Sequence, residues 1–167
     1  GMVMAKASTL FEIMSKDQVD PDEMMFHMNN DLYQTKTAGM FVTCILGEYD
    51  LVSEEIRWVN AGHQPALIRT QDGKYSEYIS SSTPLGVIKH KDKSVYKLEK
   101  TKLSSSRFYV FTDGLSESLD KNGDEIGVEG SIKIIENNFN ADLKKQLKDV
   151  TSEVVKVAGD KNLSDDL

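Results

Sequence analysis

Ala66-Leu67-Ile68-Arg69-Thr70-Gln71-Asp72-Gly73-Lys74-Tyr75-Ser76-Glu77-Tyr78-Ile79 is the stretch that decides the fold class. Two short strand-forming runs, 66–69 and 75–79, flank Gln71-Asp72-Gly73-Lys74. An Asp-Gly pair between such runs is a strong hairpin signal, because it supplies the backbone turn a tight reversal needs. A hairpin builds an antiparallel sheet, so the chain reads as α+β and not as alternating strand-helix units.

The neighbouring segments extend the same pattern. Ile56-Arg57-Trp58-Val59-Asn60 alternates and follows a polar turn at 50–54. Met40-Phe41-Val42-Thr43-Cys44-Ile45-Leu46 is nearly continuous in apolar residues and predicts a strand buried on both faces. Val95-Tyr96-Lys97-Leu98 alternates again, and Phe108-Tyr109-Val110-Phe111 reads as a buried strand that stops at Asp113-Gly114. Helices flank this block of about six strands. Val3, Ala7, Leu10 and Met14 recur at helical spacing, with Met4 and Phe11 beside them. Asp20 as cap, Pro21 at the first position and Glu23 three residues after the cap start a second helix, with Met25, Met28 and Leu32 on its buried face. A short helix is expected over 131–138, and Leu143, Leu147, Val150, Val154 and Val157 predict a long final one. No repeat or low-complexity linker divides the chain, so residues 1–167 are expected to form one domain.

Composition narrows the function classes. The 167 residues carry 20 Lys and Arg against 27 Asp and Glu, a net charge of -7. That balance argues against a general nucleic-acid or anionic-membrane binder, since no basic field collects phosphates. The single cysteine, Cys44, leaves no internal disulfide framework and no cysteine-rich zinc site. No apolar run approaches the ~18 residues of a membrane span, and no signal-like segment opens the chain. The expectation is a cytoplasmic domain.

Several residues are candidates for chemistry. An apolar strand that delivers Asp113 at its end, with Gly114 clearing the way, is a common presentation of a metal-binding carboxylate; Asp-Gly is equally an ordinary turn dipeptide. Asp165-Asp166 is an acidic pair of which at most one member points into a given site from a strand, and a solvated terminus is its simpler reading. His63, in the turn Asn60-Ala61-Gly62-His63-Gln64-Pro65, is a ligand or acid-base candidate, but lacks a second histidine at ligand spacing and reads better as a hydrogen-bonded structural residue. His27 and His90 read as surface residues, Cys44 as an inert core thiol, Met24 to Met28 as adaptable packing with a partner-binding face as the other option, and Ser104 to Ser106 as a loop. No Gly-x-Ser-x-Gly elbow supports a serine hydrolase built on His63.

Taken in order, Met40-Phe41-Val42-Thr43, Val59 to Pro65, Pro84-Leu85-Gly86-Val87, Phe111-Thr112-Asp113-Gly114 and Ser164-Asp165-Asp166 form a series. The series closely resembles the metal-dependent serine/threonine phosphatases of the SpoIIE and RsbU kind, a bacterial branch of the type 2C (PPM) phosphatase fold. Met2 to Met14 is similar to the helix that follows the family's glycine-rich metal motif. The resemblance implies an antiparallel β-sandwich flanked by helix pairs, with two Mn²⁺ or Mg²⁺ ions at one end. It implies hydrolysis of phosphoserine or phosphothreonine on a protein substrate, often an anti-sigma-factor antagonist in partner switching, under an upstream sensor domain.

Residue by residue, Asp113 matches the ligand of the family's Thr-Asp-Gly motif and Asp165 the first acid of its Asp-Asp motif. The turn from Asn60 to Pro65 matches a signature read as mainly structural. Hard divalent cations prefer oxygen ligands, which suits aspartates over histidine and cysteine. The family pattern asks for two further aspartates, one in an early strand and one just before the first helix, and neither has a counterpart in these 167 residues. The first helix is in full stride at the first residue, and Leu163 to Leu167 reads like the approach to another strand. The expectation is therefore an incomplete domain lacking its N-terminal strands and final strand, inactive by itself, with sheet edges open to self-association. A catalytically dead binding module of the same fold is the competing reading.

Overall fold

The computed structural model describes residues 2–35 and 39–158. The chain divides into two compact units, Gly1–Tyr109 and Val110–Leu167. In the first, helices α1 (Met2–Lys16) and α2 (Pro21–Gln34) precede strands β1 (Cys44–Asp50), β2 (Glu55–Ala61), β3 (Ala66–Arg69), β4 (Tyr75–Tyr78), β5 (Glu99–Lys102) and β6 (Arg107–Tyr109). All pairings are antiparallel, and the strands form two three-stranded sheets, ordered β1-β2-β5 and β4-β3-β6. The α+β class expected from the hairpin, and the antiparallel sheet pair that the resemblance implies, are what the chain adopts.

β2 is the keystone of the first unit. As the central strand of its sheet it is buried on both faces, and its period-2 alternation divides its side chains between two cores. Ile56 and Trp58 face the second sheet, where they meet Ala66, Ile68, Tyr78 and Phe108. Tyr78 and Phe108 each stand edge-on to the Trp58 ring at 5.1 Å between centroids, an arrangement that adds about 0.5–1.5 kcal/mol per pair to simple burial. Val59 and Ala61 face the other way and join Ala7 of α1, Met24, Met25, Met28 and Leu32 of α2, Leu46, Leu85 and Tyr96. The methionines of 24–28 are thus packing residues.

Four sequence expectations shift. The apolar run 40–46 is not a strand buried on both faces: β1 begins only at Cys44, Leu46 is its one fully buried residue, and Met40 and Phe41 are exposed. β1 is the outer strand of its sheet among the described residues, so two-sided burial falls to β2. Val95 to Leu98 is not a strand either. Asp92 caps a 3₁₀ turn (Lys93–Val95) by accepting from the Ser94 N–H at 2.9 Å, and β5 starts at Glu99, where it pairs with Trp58 of β2. Tyr96 and Leu98 do point inward, which produced the alternation. β6 ends at Tyr109, because its pairing with β3 runs out there. Finally, Asp20 precedes α2 as expected but makes no side-chain capping bond. Its carboxylate instead accepts from Arg57 of β2 at 3.0 Å, and Arg57 also pairs with Glu48 of β1.

The second unit holds α3 (Asp113–Ser116), α4 (Gly127–Asn137) and α5 (Leu143–Ala158) around Leu115, Ile134 and Val154, with Phe111, Ile126 and Val150 against them. α4 begins four residues before its expected start at Ser131. On α5 the inward stripe is Gln146, Val150, Val154 and Ala158, whereas Leu143 and Leu147 of the expected apolar face are exposed. Gln146 takes the inward place because its amide donates to the Ile135 carbonyl near the end of α4, where helix carbonyls lack internal partners. No helix among the described residues is long and apolar enough to cross a membrane.

Candidate metal centre

Asp113 is the first residue of α3, not the second half of a turn. Thr112 precedes it in extended conformation, Leu115 is driven into the small core of the second unit, and Asp113 is left exposed. The Asp113 carbonyl accepts from the Glu117 N–H at 2.7 Å, which closes the helical turn. Gly114 is buried in that turn, and the Ser118 hydroxyl donates to its carbonyl. The carboxylate of Asp113 itself makes no hydrogen bond or ion pair among the described residues. It is an oxygen donor held on a fixed backbone with its lone pairs open, which fits a hard divalent cation.

Asp165 and Asp166 lie outside the described residues. Among the described residues, no three His, Cys, Asp or Glu side chains converge on a common metal position. A second acidic feature, the loop 120–125, was not singled out by sequence. Asp120 accepts from the backbone N–H groups of Asn122 at 2.7 Å and Asp124 at 3.1 Å, and these bonds hold its carboxyl below the usual range. Its lone pairs serve its own loop.

The other candidates are structural. His63 Nδ1 lies 3.1 Å from the Thr43 hydroxyl, and its backbone N–H donates to Asn60 Oδ1 at 2.9 Å. The Asn60 amide donates in turn to the Gln64 carbonyl at 3.0 Å, so Asn60 ties the whole turn 60–64 together. Ser80 and Ser82 hydroxyls donate to the Asn60 carbonyl from the next loop. His27 is exposed and pairs with Glu23 at 3.7 Å. His90 departs from the surface reading: it is half-buried with its ring edge-on to Tyr96 at 5.5 Å. Burial pushes the Tyr96 phenol well above its usual range and the Cys44 thiol upward.

Sequence reasoning also missed Asn29 and Asn30. Asn29 is fully buried, accepts from the Gly86 N–H at 2.9 Å and donates to the Ile88 carbonyl at 2.9 Å. Asn30 does the same for His90, accepting from its N–H at 3.0 Å and donating to its carbonyl at 3.2 Å. Adjacent asparagines on a helix, next to a buried methionine face, were the available signal.

Two antiparallel sheets with a helix pair and an exposed Thr-Asp-Gly aspartate define the class of the PP2C-type phosphatase fold. The solved PP2C phosphatase domain of the cell fate determinant SpoIIE from Bacillus subtilis superposes with a TM-score of 0.81 at 17% identity, covering 99% of this chain and 47% of that one. A manganese-presoaked structure of that SpoIIE domain gives 0.62 at 16% identity over 96% and 69%. RsbX in complex with magnesium gives 0.61 at 13% identity over 95% and 66%. The family model described as stage II sporulation protein E (SpoIIE) matches residues 1–167, and the chain belongs to that family. Among named relatives, the phosphoserine phosphatase RsbU of Bacillus subtilis is 24% identical over 150 residues. That match takes in 89% of this chain and 43% of RsbU, so the chain spans less than half the length of that relative.

Proposed function

We propose that the chain is the phosphatase part of a protein that hydrolyses phosphoserine or phosphothreonine on a protein substrate, with residues 1–167 acting as one SpoIIE-like domain. The observation that carries this reading is the family match over all 167 residues, and the exposed carboxylate of Asp113, unengaged among the described residues, agrees with it. Asp113 and Asp165 would hold a divalent cation, Mn²⁺ or Mg²⁺, the ions with which the SpoIIE and RsbX relatives were studied. When bound, such ions activate water and neutralise charge on the phosphoryl oxygens. The chain's own share is positional: the buried Leu115 and the α3 turn fix where the Asp113 oxygens stand.

RsbU is named a phosphoserine phosphatase, which supports a phosphoserine substrate; the finer reading, an anti-sigma-factor antagonist acted on in the cytoplasm under control of a sensor domain, rests on the motif resemblance. Two aspartates are half of the ligand set that the family pattern asks for. These 167 residues by themselves are therefore inactive and bind the cation weakly.

Two measurements test this. In the complete gene product, Asp113→Asn lowers Mn²⁺-dependent turnover of a phosphoserine peptide by about tenfold to a hundredfold or more; unchanged turnover removes Asp113 from the site. Calorimetric titration of the 167-residue chain with MnCl₂ gives weak binding; tight two-site binding would show that no ligand is missing. If the gene holds no acidic motifs upstream of Met2, the binding-module reading replaces the enzyme.

A further inference from the structure

The expected burial of residues 40–41 fails in an informative way. Val42 and Leu85 exchange backbone hydrogen bonds, Val42 N–H to Leu85 at 3.1 Å and Leu85 N–H to Val42 at 2.8 Å. This antiparallel bridge lays residues 40–41 beside residues 86–87. The apolar side chains there are open to solvent: Met40 is 60% exposed, Phe41 58%, Val87 46% and Ile88 48%. Lys89 and Lys91 follow directly, both exposed, and neither forms an ion pair among the described residues.

This ridge is not loose. The Asn29 and Asn30 side chains grip the backbone at Gly86, Ile88 and His90 with four hydrogen bonds. A surface already ordered loses little conformational entropy when a partner lands on it. Several exposed apolar side chains on two adjoining segments, with charge at their end, are a mark of a protein-interaction site.

We propose that residues 40–41 and 87–91 form a docking surface for an acidic protein segment. Its apolar side chains rest on Met40, Phe41, Val87 and Ile88, and its carboxylates face Lys89 and Lys91. Charge complementarity selects this occupant. Lys89 and Lys91 make the rim locally cationic on a chain whose net charge is -7, and that local charge favours a partner segment of opposite sign. A second copy joined two-fold through the same patch would bring Lys89 and Lys91 up against their own equivalents. The surface needs neither metal nor turnover, so it stands apart from the phosphatase reading.

The test uses a fluorescein-labelled peptide, Glu-Glu-Leu-Phe-Glu-Leu-Glu, titrated by fluorescence anisotropy in metal-free buffer. Saturable binding is expected, weakened at least about tenfold by Phe41→Ser and by the pair Lys89→Glu and Lys91→Glu, and weakened by added salt. Lys133→Glu, on α4, leaves it unchanged, and circular dichroism of each exposed-site variant confirms folding. No binding, equal binding of a peptide with lysine in place of glutamate, or indifference to both variants overturns the proposal. So does light scattering that shows a dimer abolished by Phe41→Ser, which would make a second copy the occupant.

Discussion

A side-chain carbon placed on Gly62 would lie 2.5 Å from Cγ of Pro84. Two motifs well separated in the sequence thus close on one another, the turn 60–65 and the segment 84–87, and the Gly62 N–H adds a 2.7 Å bond to the Ser80 hydroxyl. Gly62 also has φ of +67°. Gly62→Ala should cost about 2–4 kcal/mol, combining left-handed strain with overlap against a ring that cannot bend away. Gly123 has φ of +87° and open space around it, so Gly123→Ala should cost only the strain, about 1–2 kcal/mol. Urea unfolding of both variants measures the difference, and equal losses would remove the Pro84 contact as a cause.

Asn29→Ala should destabilise by about 1–3 kcal/mol, since it strips partners from the Gly86 N–H and the Ile88 carbonyl at once. Amide hydrogen exchange at Gly86 should speed up in the variant by more than exchange at Trp58. Uniform acceleration would mean global destabilisation without a local clamp.

Asp50 at the β1–β2 turn accepts from the Ser53 N–H, the Ser53 hydroxyl and the Val52 N–H, and these bonds lower its carboxyl below the usual value. A depressed folded value means the stabilisation is complete above the unfolded carboxyl range near 4 and is lost as pH falls through the lower folded value. The amide shifts of Val52 and Ser53 should therefore titrate with a midpoint below that of an ordinary aspartate. Asp50→Asn should abolish that titration, and a midpoint at or above the ordinary value would contradict the bonding.

The Cys44 thiol is pushed up by burial at the start of β1. Since the thiolate is the reactive form, iodoacetamide should label Cys44 roughly several-fold more slowly at pH 8 in the folded chain than in urea. Equal rates would place the sulfur in solvent.

Much of the fold was legible because it is local. The Asp72-Gly73 reversal, the Pro21 helix start and the 3-4 spacing of Val3, Ala7, Leu10 and Met14 are each decided within a few residues, and α1, α2, β3 and β4 stand where those signals put them. The misreadings share a cause. Residues 40–46 and 95–98 carry apolar patterns that local rules cannot separate from strands. Whether they pair depends on which strand runs opposite, and in the β1-β2-β5 sheet the central place goes to β2. Gln146 displaced Leu147 from the inner face of α5 for a carbonyl eleven residues earlier, which no pattern on α5 itself encodes.

For the site, the division is similar. The amino-acid sequence by itself determined the family and the position of the Thr-Asp-Gly aspartate in the chain, because residue type and order decide those. Only the tertiary structure decided that Asp113 opens a helical turn with its carboxylate unpaired among the described residues, that the turn 60–65 is a hydrogen-bonded brace, and that Met40 and Phe41 face solvent beside residues 86–87. Those outcomes depend on packing that local patterns do not encode: Leu115 seats the Asp113 turn against Ile134 and Val154 in the second unit, and in the first, burial and pairing are settled only when the two sheets and α1 and α2 close on each other.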